Sequence, residues 1–408
     1  MKALVLCGGM SQLYLIRELK KRNITSILAD MNEKAPAVPY ADKFYPVSTL
    51  DFDGIREIAE REKVDCILSV CADQMLLVAA KISEDLGLPC YIDYETAKNV
   101  SSKAFMKQIF VENGIPTAKY IIRETITPED VAQMRFPLVT KPVDAYSSRG
   151  VKRVESYEEL VPAFEEAVRI SRTHTAVVEE FMEGEELSVD LYVENGVAKV
   201  LCIRVLDKIP ANDGFIICRG RYPAPVSDAA YQQITRVGQQ IADAFGLVDT
   251  PMLIQMKQDG DEVKVIEFCA RTGGGIKYRL LPVVSRFDVV SAVLDLTLGE
   301  KPHYDDYHLD RYIVDEFLYC EPGELDHLEG FEELLREGVI DHYDQCKAPG
   351  HRFQNVKSSG DRVAYFSVSG VTLGQLREKY RIASARVKAV STDGRDLIRH
   401  DIMQFADY

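Results

Sequence analysis

No apolar run in this 408-residue chain approaches the roughly 20 residues that a bilayer-spanning helix requires, so no membrane partner is expected. Cations are in deficit: 49 Lys and Arg face 64 Asp and Glu, for a formal net charge of −15. Such a surface repels a phosphate backbone and argues against general nucleic-acid binding. The nine cysteines are odd in number and scattered, with no C-x-x-C pair and no Cys/His cluster at zinc spacing. Cys66 and Cys202 sit inside apolar runs, where a thiol behaves as a small hydrophobe. A reducing cytoplasm fits this usage. The N-terminus lacks a signal-peptide h-region and a small-residue cleavage site. Instead Met1-Lys2-Ala3-Leu4-Val5-Leu6 runs straight into Gly8-Gly9 and reads as a first β-strand. No full G-x-G-x-x-G follows it, which disfavours a nicotinamide cofactor. There is no internal repeat and no low-complexity segment.

What remains is an ordinary globular balance, 46% hydrophobic and 28% charged, in a chain long enough for two or three domains at roughly 100–200 residues each. Residues 1–96 alternate strand and helix. Apolar runs at 3–7, 25–29 and 66–70 are separated by helical spacing at 11–21, 53–62 and 75–86, the last stopping at Gly87. Such β-α-β alternation predicts a parallel sheet covered by helices, with ligands at the strand C-terminal ends. From about Thr96 the pattern becomes α+β: a helix at 101–113 broken by Gly114-Ile115-Pro116, and a strand at 138–143. A polar loop at 144–150 and a returning strand at 151–154 follow. Strands at 187–193 and 197–205 flank Asn195-Gly196, a type I′ hairpin signal. A long helix at 230–245 and strands at 252–257 and 263–268 complete this part. Residues 301–408 mix short strands with helices and carry no chemical signature.

Three elements carry chemistry. Lys141 lies in the apolar strand Pro-Leu-Val-Thr-Lys-Pro-Val, and a buried ammonium needs an anion nearby. The loop after it, Tyr146-Ser147-Ser148-Arg149-Gly150, is small and hydroxyl-rich, with a glycine that lets backbone N–H groups approach an anion. Together they read as a flap over phosphates. The second element, Glu179-Glu180-Phe181-Met182 followed by Glu185-Glu186, offers a strand edge for an adenine ring and a carboxylate for ribose hydroxyls; taken alone it is an ordinary acidic turn. The third is Glu267-Phe268-Cys269-Ala270-Arg271-Thr272-Gly273-Gly274-Gly275. Alternation puts Glu267 and Cys269 on one strand face, with Arg271 where the strand ends. Gln255, on the preceding strand, is placed to face the same site. Oxygen ligands for Mg²⁺ beside an arginine are what phosphoryl transfer needs, and the glycines let backbone come close to a substrate.

In this order the elements resemble the ATP-grasp superfamily over about residues 1–300, especially amino-acid ligases and the synthetase repeats of carbamoyl phosphate synthetase. The Leu86-Gly87-Leu88-Pro89 turn, and Ser102-Lys103-Ala104-Phe105-Met106-Lys107 before Gly114-Ile115-Pro116, match the family's entry pattern. The resemblance implies an α/β chain in three parts. These are a Rossmann-like pre-ATP-grasp domain at 1–96, an ATP-grasp domain at 97–300 with a lid subdomain at about 115–182, and a C-terminal α+β region at 301–408. It implies ATP and Mg²⁺ (or Mn²⁺) as cofactors. Lys103 and Lys141 become the nucleotide lysines, and Ser147, Ser148 and Gly150 fall on the phosphate loop. Glu179, Glu180, Phe181 and Met182 become the adenine hinge and Glu186 the ribose carboxylate. Glu267 and Gln255 become metal ligands, and Arg271 the arginine that stabilises an acyl phosphate. The family's Glu-x-Asn-x-Arg is altered here, because Cys269 stands at the asparagine position and a thiol is a poor ligand for Mg²⁺. That leaves the number of metals open.

The function so implied is an ATP- and Mg-dependent carboxylate–amine ligase acting through an acyl phosphate on small-molecule carboxylate and amine substrates. Arg219, Tyr222, Gly273 and Gly274 are the candidate substrate contacts, and a homodimer is common among similar proteins. Two alternatives stay open at this point: a non-catalytic ATP-binding protein, which Cys269 favours, and a bicarbonate-activating enzyme.

Overall fold

The computed structural model describes residues 1–145, 149–209 and 215–403; Ser147 and Ser148 lie outside them. At the N-terminus four strands, β1 (Lys2–Leu6), β2 (Thr25–Ala29), β3 (Lys43–Tyr45) and β4 (Cys66–Leu68), form an all-parallel sheet in the order β3-β2-β1-β4. Ala3, Leu4, Val5 and Leu6 are all fully buried, as expected for a strand covered by helices on both faces. The Gly8-Gly9 turn is structural. The Gly8 amide donates to Asp30 at 2.6 Å, and a Cβ there would lie 2.6 Å from that of Ala35, so only glycine lets the two loops approach.

The helix expected at 101–113 is Lys103–Glu112, and a further helix, Tyr94–Ser101, precedes it. Ser102 between them has extended backbone, and its hydroxyl accepts from the Phe105 amide at 3.3 Å. A serine that caps a new helix competes with continuation of the old one. The break turns Lys103 into the first residue of a fresh helix.

Four strands, β5 (Tyr120–Arg123), β6 (Leu138–Pro142), β7 (Lys152–Val154) and β8 (Ala176–Glu180), make an antiparallel lid sheet in the order β5-β8-β6-β7, covered by the helix Tyr157–Ile170. The largest sheet begins with β9 (Glu185–Glu194), β10 (Val197–Lys208), β11 (Ile217–Tyr222), β12 (Thr250–Asp259) and β13 (Glu262–Cys269). Asn195 and Gly196, both at positive φ, close the β9–β10 hairpin. The chain then supplies β14 (Tyr312–Leu318), β15 (Gly323–Glu329), β16 (His342–Gln345), β17 (Arg352–Phe353), β18 (Ala364–Gly370) and β19 (Lys388–Ser391). The region after residue 300 is not a separate layer: β14, β18 and β16 extend the central sheet to eight strands, β13-β12-β9-β10-β11-β14-β18-β16. The joint is the edge of β11, where Arg219 pairs with Glu316 and Tyr222 with Ile313. No helix among the described residues is long and apolar enough to cross a membrane.

A buried charge cluster pins the lid sheet to the helix Lys103–Glu112. Glu179 of β8 is 4% exposed. Its carboxylate accepts from Lys141 of β6 at 2.5 Å and faces Lys107 at 2.9 Å, the second contact being an ion pair rather than an aligned hydrogen bond. Lys107 also donates to Thr117 at 2.7 Å. Burial works against the Glu179 charge, but the ammoniums of Lys107 and Lys141 outweigh it and pull the carboxyl down to about 2. A folded-state value below the unfolded one means the stabilisation is complete above the ordinary carboxyl value of 4.5 and is lost as pH falls from there toward 2. Glu179→Gln should therefore cost about 3–5 kcal/mol at neutral pH, the range for breaking a buried ion pair. It should also flatten the fall in melting temperature between pH 5 and pH 2.5. An unchanged acid slope in the variant, measured by thermal unfolding, would remove this cluster as the lid's anchor.

Candidate functional site

A cleft of about 570 Å³ opens between the lid sheet and the central sheet. The lid contributes Val139 and Lys141 from β6, and Phe181 and Met182 just beyond β8. The central sheet contributes Glu186, Gln255 and Glu267, and the far end is closed by Arg271, Gly274, Phe317 and Arg362. Strand alternation puts Glu186, Ser188 and Asp190 of β9 on one face, and register sets Gln255 beside Ser188 on one side and Glu267 on the other.

The nucleotide-side candidates largely converge. Lys103 donates to the Ala145 carbonyl at 3.0 Å and lies 3.2 Å from the Glu267 carboxylate. Lys141 and Glu179 line the same cleft, so three ammoniums (Lys103, Lys107, Lys141) face two carboxylates (Glu179, Glu267) across a partly dry interior. Burial holds the Lys107 ammonium below its ordinary value, with Glu179 acting against that shift. An excess of buried positive charge is favourable only if an anion enters, and phosphate oxygens would supply it. Glu186, 8% exposed, accepts from Lys208 at 2.7 Å and from the Gln255 amide nitrogen at 3.2 Å. The Phe181 ring carries the Arg153 guanidinium 4.4 Å from its centroid. Glu180 also lines the cleft, its carboxylate accepting from the Arg135 amide at 3.1 Å.

The metal-side residues fit a hard cation in part. With its nitrogen engaged by Glu186, Gln255 has a carbonyl oxygen that no donor meets among the described residues. It neighbours the Glu267 carboxylate across β12–β13. Mg²⁺ is ordinarily held by one or two protein oxygens plus substrate phosphates and water. Among the described residues no group of three or more His, Cys, Asp or Glu could hold a metal by itself. Cys269 is half-buried at the cleft wall.

The remaining candidates divide. Arg271 lines the far end and donates to the Thr272 carbonyl at 2.8 Å; Gly274 lines it too. Gly273 sits one layer deeper, where a Cβ would meet Leu253, Lys277 and Asp190 at 3.1–3.2 Å. Gly150 faces an outer groove beside Arg149 and Lys152, with φ +73° and Ile170 2.7 Å from where its Cβ would be. Arg219 and Tyr222 are not brought to the cleft. Arg219 is on the back face of the central sheet, 2% exposed, donating to Glu316 at 2.6 Å and to the Tyr380 hydroxyl at 2.7 Å. Tyr222 is buried in the core and donates to the Leu309 carbonyl at 2.9 Å. Alternation along β11 sends these two side chains to opposite faces, and neither lines the cleft.

Three cationic residues at the far end were not among the candidates. Lys277, fully enclosed at the start of the helix Lys277–Val284, donates to Ser188 at 3.0 Å and to Asp190. Burial pushes its ammonium down to about 7, with Asp315 pulling the other way. Arg204 of β10 is 3% exposed and donates to Asp315 at 2.5 Å. Gly220 makes room for it, since a Cβ there would lie 2.8 Å from the guanidinium. Arg362 is the third. A signal for Arg204 existed: an arginine inside the apolar strand Cys-Ile-Arg-Val-Leu demands a buried partner.

Family models match along the chain: an ATP-grasp domain at 134–279, a PylC-like N-terminal domain at 4–90 and an L-amino acid ligase C-terminal domain 2 at 316–391. A formate-dependent phosphoribosylglycinamide formyltransferase of Ignicoccus hospitalis is 24% identical over 60% of this chain and 63% of its own length. A carbamoyl-phosphate synthase of Methanobrevibacter smithii is 28% identical over 45% of this chain and 49% of its own length. The chain thus matches 63% and 49% of the length of these two relatives. Among solved structures, an L-amino acid ligase from Bacillus licheniformis superposes with TM-score 0.81 at 20% identity, covering 96% of this chain and 98% of that one. The biotin carboxylase domain of Hydrogenobacter thermophilus 2-oxoglutarate carboxylase, solved with MgADP, ADP and bicarbonate, gives 0.78 at 16% identity, covering 100% and 99%. At these identities the superpositions speak to the fold. Three family models thus lie in register from residue 4 to 391, and the ATP-grasp domain match at 134–279 holds Lys141, Glu186, Gln255, Glu267 and Arg271 of the cleft wall.

Proposed function

We propose that the protein is a carboxylate–amine ligase that uses ATP to activate a small carboxylic acid or amino acid as an acyl phosphate. The observation that carries this reading is the meeting of Lys103, Lys141, Gln255, Glu267 and Arg271 on the wall of one cleft. The L-amino acid ligase C-terminal model and the MgADP-bound neighbour support it.

Lys103 and Lys141 neutralise phosphate charge from the helix and lid sides. Phe181 and Met182 pack on the adenine side, and Glu186 meets the ribose. The substrate carboxylate attacks the γ-phosphoryl group in line; one P–O bond forms, the bond to the ADP oxygen breaks, and ADP leaves. Positioning and charge stabilisation supply nearly all of such catalysis. Arg271 at the strand end stabilises the charge that develops on the acyl phosphate. The amine then displaces phosphate, forming the C–N bond and releasing a proton. Mg²⁺ held by Glu267 and the free oxygen of Gln255 would neutralise the phosphates. Cys269 adds no hard donor, so among the protein groups Mg²⁺ would rely on those two oxygens.

Glu267→Gln and Arg271→Gln should each lower amine-dependent ADP release by roughly a hundredfold or more, the scale for removing one transition-state donor. Melting temperature should stay close to that of the wild type, because both side chains face the cleft. Full turnover by Glu267→Gln, assayed against pools of amino acids, would refute the assignment. Cys269→Asn, which adds an amide oxygen, should lower the Mg²⁺ concentration needed for half-maximal ADP release severalfold. An unchanged magnesium titration would mean that position 269 does not touch the metal.

A further inference from the structure

The cations at the far end of the cleft are not alike. Arg204 is met by Asp315 at 2.5 Å, and Lys277 by Asp190. Arg362 has no carboxylate partner among the described residues. It lines the same cleft as Arg271 and Gly274, half-buried.

Its position is built. The chain on one side is held by Asp361, whose carboxylate accepts from the amides of Lys357 and Ser358 at 2.8 and 2.9 Å. On the other side the Val363 amide donates to the Leu318 carbonyl at 2.9 Å. The guanidinium lies 3.9 Å over the Phe317 ring. Its Nε donates to the hydroxyl of Tyr319 at 3.0 Å; that tyrosine is fully buried and itself donates to the Ile217 carbonyl at 2.8 Å. One edge of the fork is therefore fixed by protein. Nη1, on the other edge, has no partner among the described residues and faces Gly275. Gly275 sits at φ +73°, and a Cβ there would lie 3.5 Å from Phe317 and 3.8 Å from that nitrogen. Any longer side chain would cover the open edge, so the glycine keeps it accessible.

We infer that Arg362 binds a substrate carboxylate that the reaction leaves intact, distinct from the one that is phosphorylated. This deepens the ligase reading and rests on it. The fork, stacked on Phe317 and locked by Tyr319, matches a single planar carboxylate in charge and shape. A phosphate dianion asks for more donors than one open edge presents. The carboxylate has two possible sources: the amine-side substrate, when that substrate is itself an amino acid, or a second acid group on the activated substrate. Arg362 is thus a specificity residue supplied by the C-terminal region to a site otherwise made by the central sheet.

The test is ADP release by the full chain with MgATP and matched substrate sets. In one arm the amine-side amino acid is offered as the free acid or as its primary amide. In the other arm the acid-side substrate is offered with one carboxylate or two. Wild-type protein should show a KM at least tenfold higher when the relevant carboxylate is removed, and the responding arm identifies the source. Arg362→Gln should bring the two KM values within threefold of one another. Arg362→Lys, which keeps charge but not the fork, should fall between. MgADP binding by each variant, read as a thermal shift, confirms folding. Equal discrimination by Arg362→Gln and wild type, or preference for a phosphomonoester over a carboxylate, overturns the assignment and leaves the ligase intact. ADP release that no amine and acid pair stimulates in the wild type overturns both.

Discussion

Charge balance in a partly dry cleft is the constraint on which the rest of this molecule depends. Glu179 is driven to stay ionised by two ammoniums, one from a neighbouring strand of the lid and one from the helix that enters the central domain. The cluster thus joins two pieces of structure with a contact that neither could bury alone. It is over-supplied with positive charge once Lys103 is counted against Glu267. An anionic ligand therefore completes the interior instead of burdening it. On the proposed reading, nucleotide binding and the fastening of the lid would be parts of one electrostatic problem.

The second organising feature is the eight-stranded sheet. Because β14, β18 and β16 add to the edge of β11, the C-terminal region is continuous with the sheet that carries Glu186, Gln255 and Glu267. Residues far apart in sequence, Arg271 and Arg362, can then wall the same cleft. The back face of that sheet is closed by its own ion pair, Arg219 with Glu316. Burial pushes the Glu316 carboxyl up to about 7 while the arginine opposes that shift. The two faces use similar residues for opposite ends: the back face is internally neutral, whereas the cleft face keeps charge for a ligand.

Several elements were legible from residues alone. Strand β1, the Asn195-Gly196 hairpin and the Gly87 helix stop follow local rules of periodicity and turn chemistry. That Lys141 needs an anion was readable, because an ammonium in an apolar strand must meet one to be buried at tolerable cost, and Glu179 is that anion. Glu267, Gln255 and Arg271 followed from alternation on two neighbouring strands. The helix Tyr94–Ser101 was missed because it ends one residue before Ser102, whose hydroxyl caps the next helix, so the two run together in a helical pattern. Arg219 was proposed for the cleft and Arg204 was passed over, because only the sheet decides which face of a strand looks at the cleft.

The amino-acid order by itself determined the types of element, the position of the glycines and the sharing of one strand face by residues two apart. These depend on interactions within a few residues, whose periods are fixed by backbone geometry. The tertiary structure alone decided which lysine meets which carboxylate, that β14 joins β11, and that Arg362 reaches the cleft with one edge of its fork open. Those outcomes depend on contacts between segments up to hundreds of residues apart. No local period encodes them, and burial sets their energy only once the sheets have closed over them.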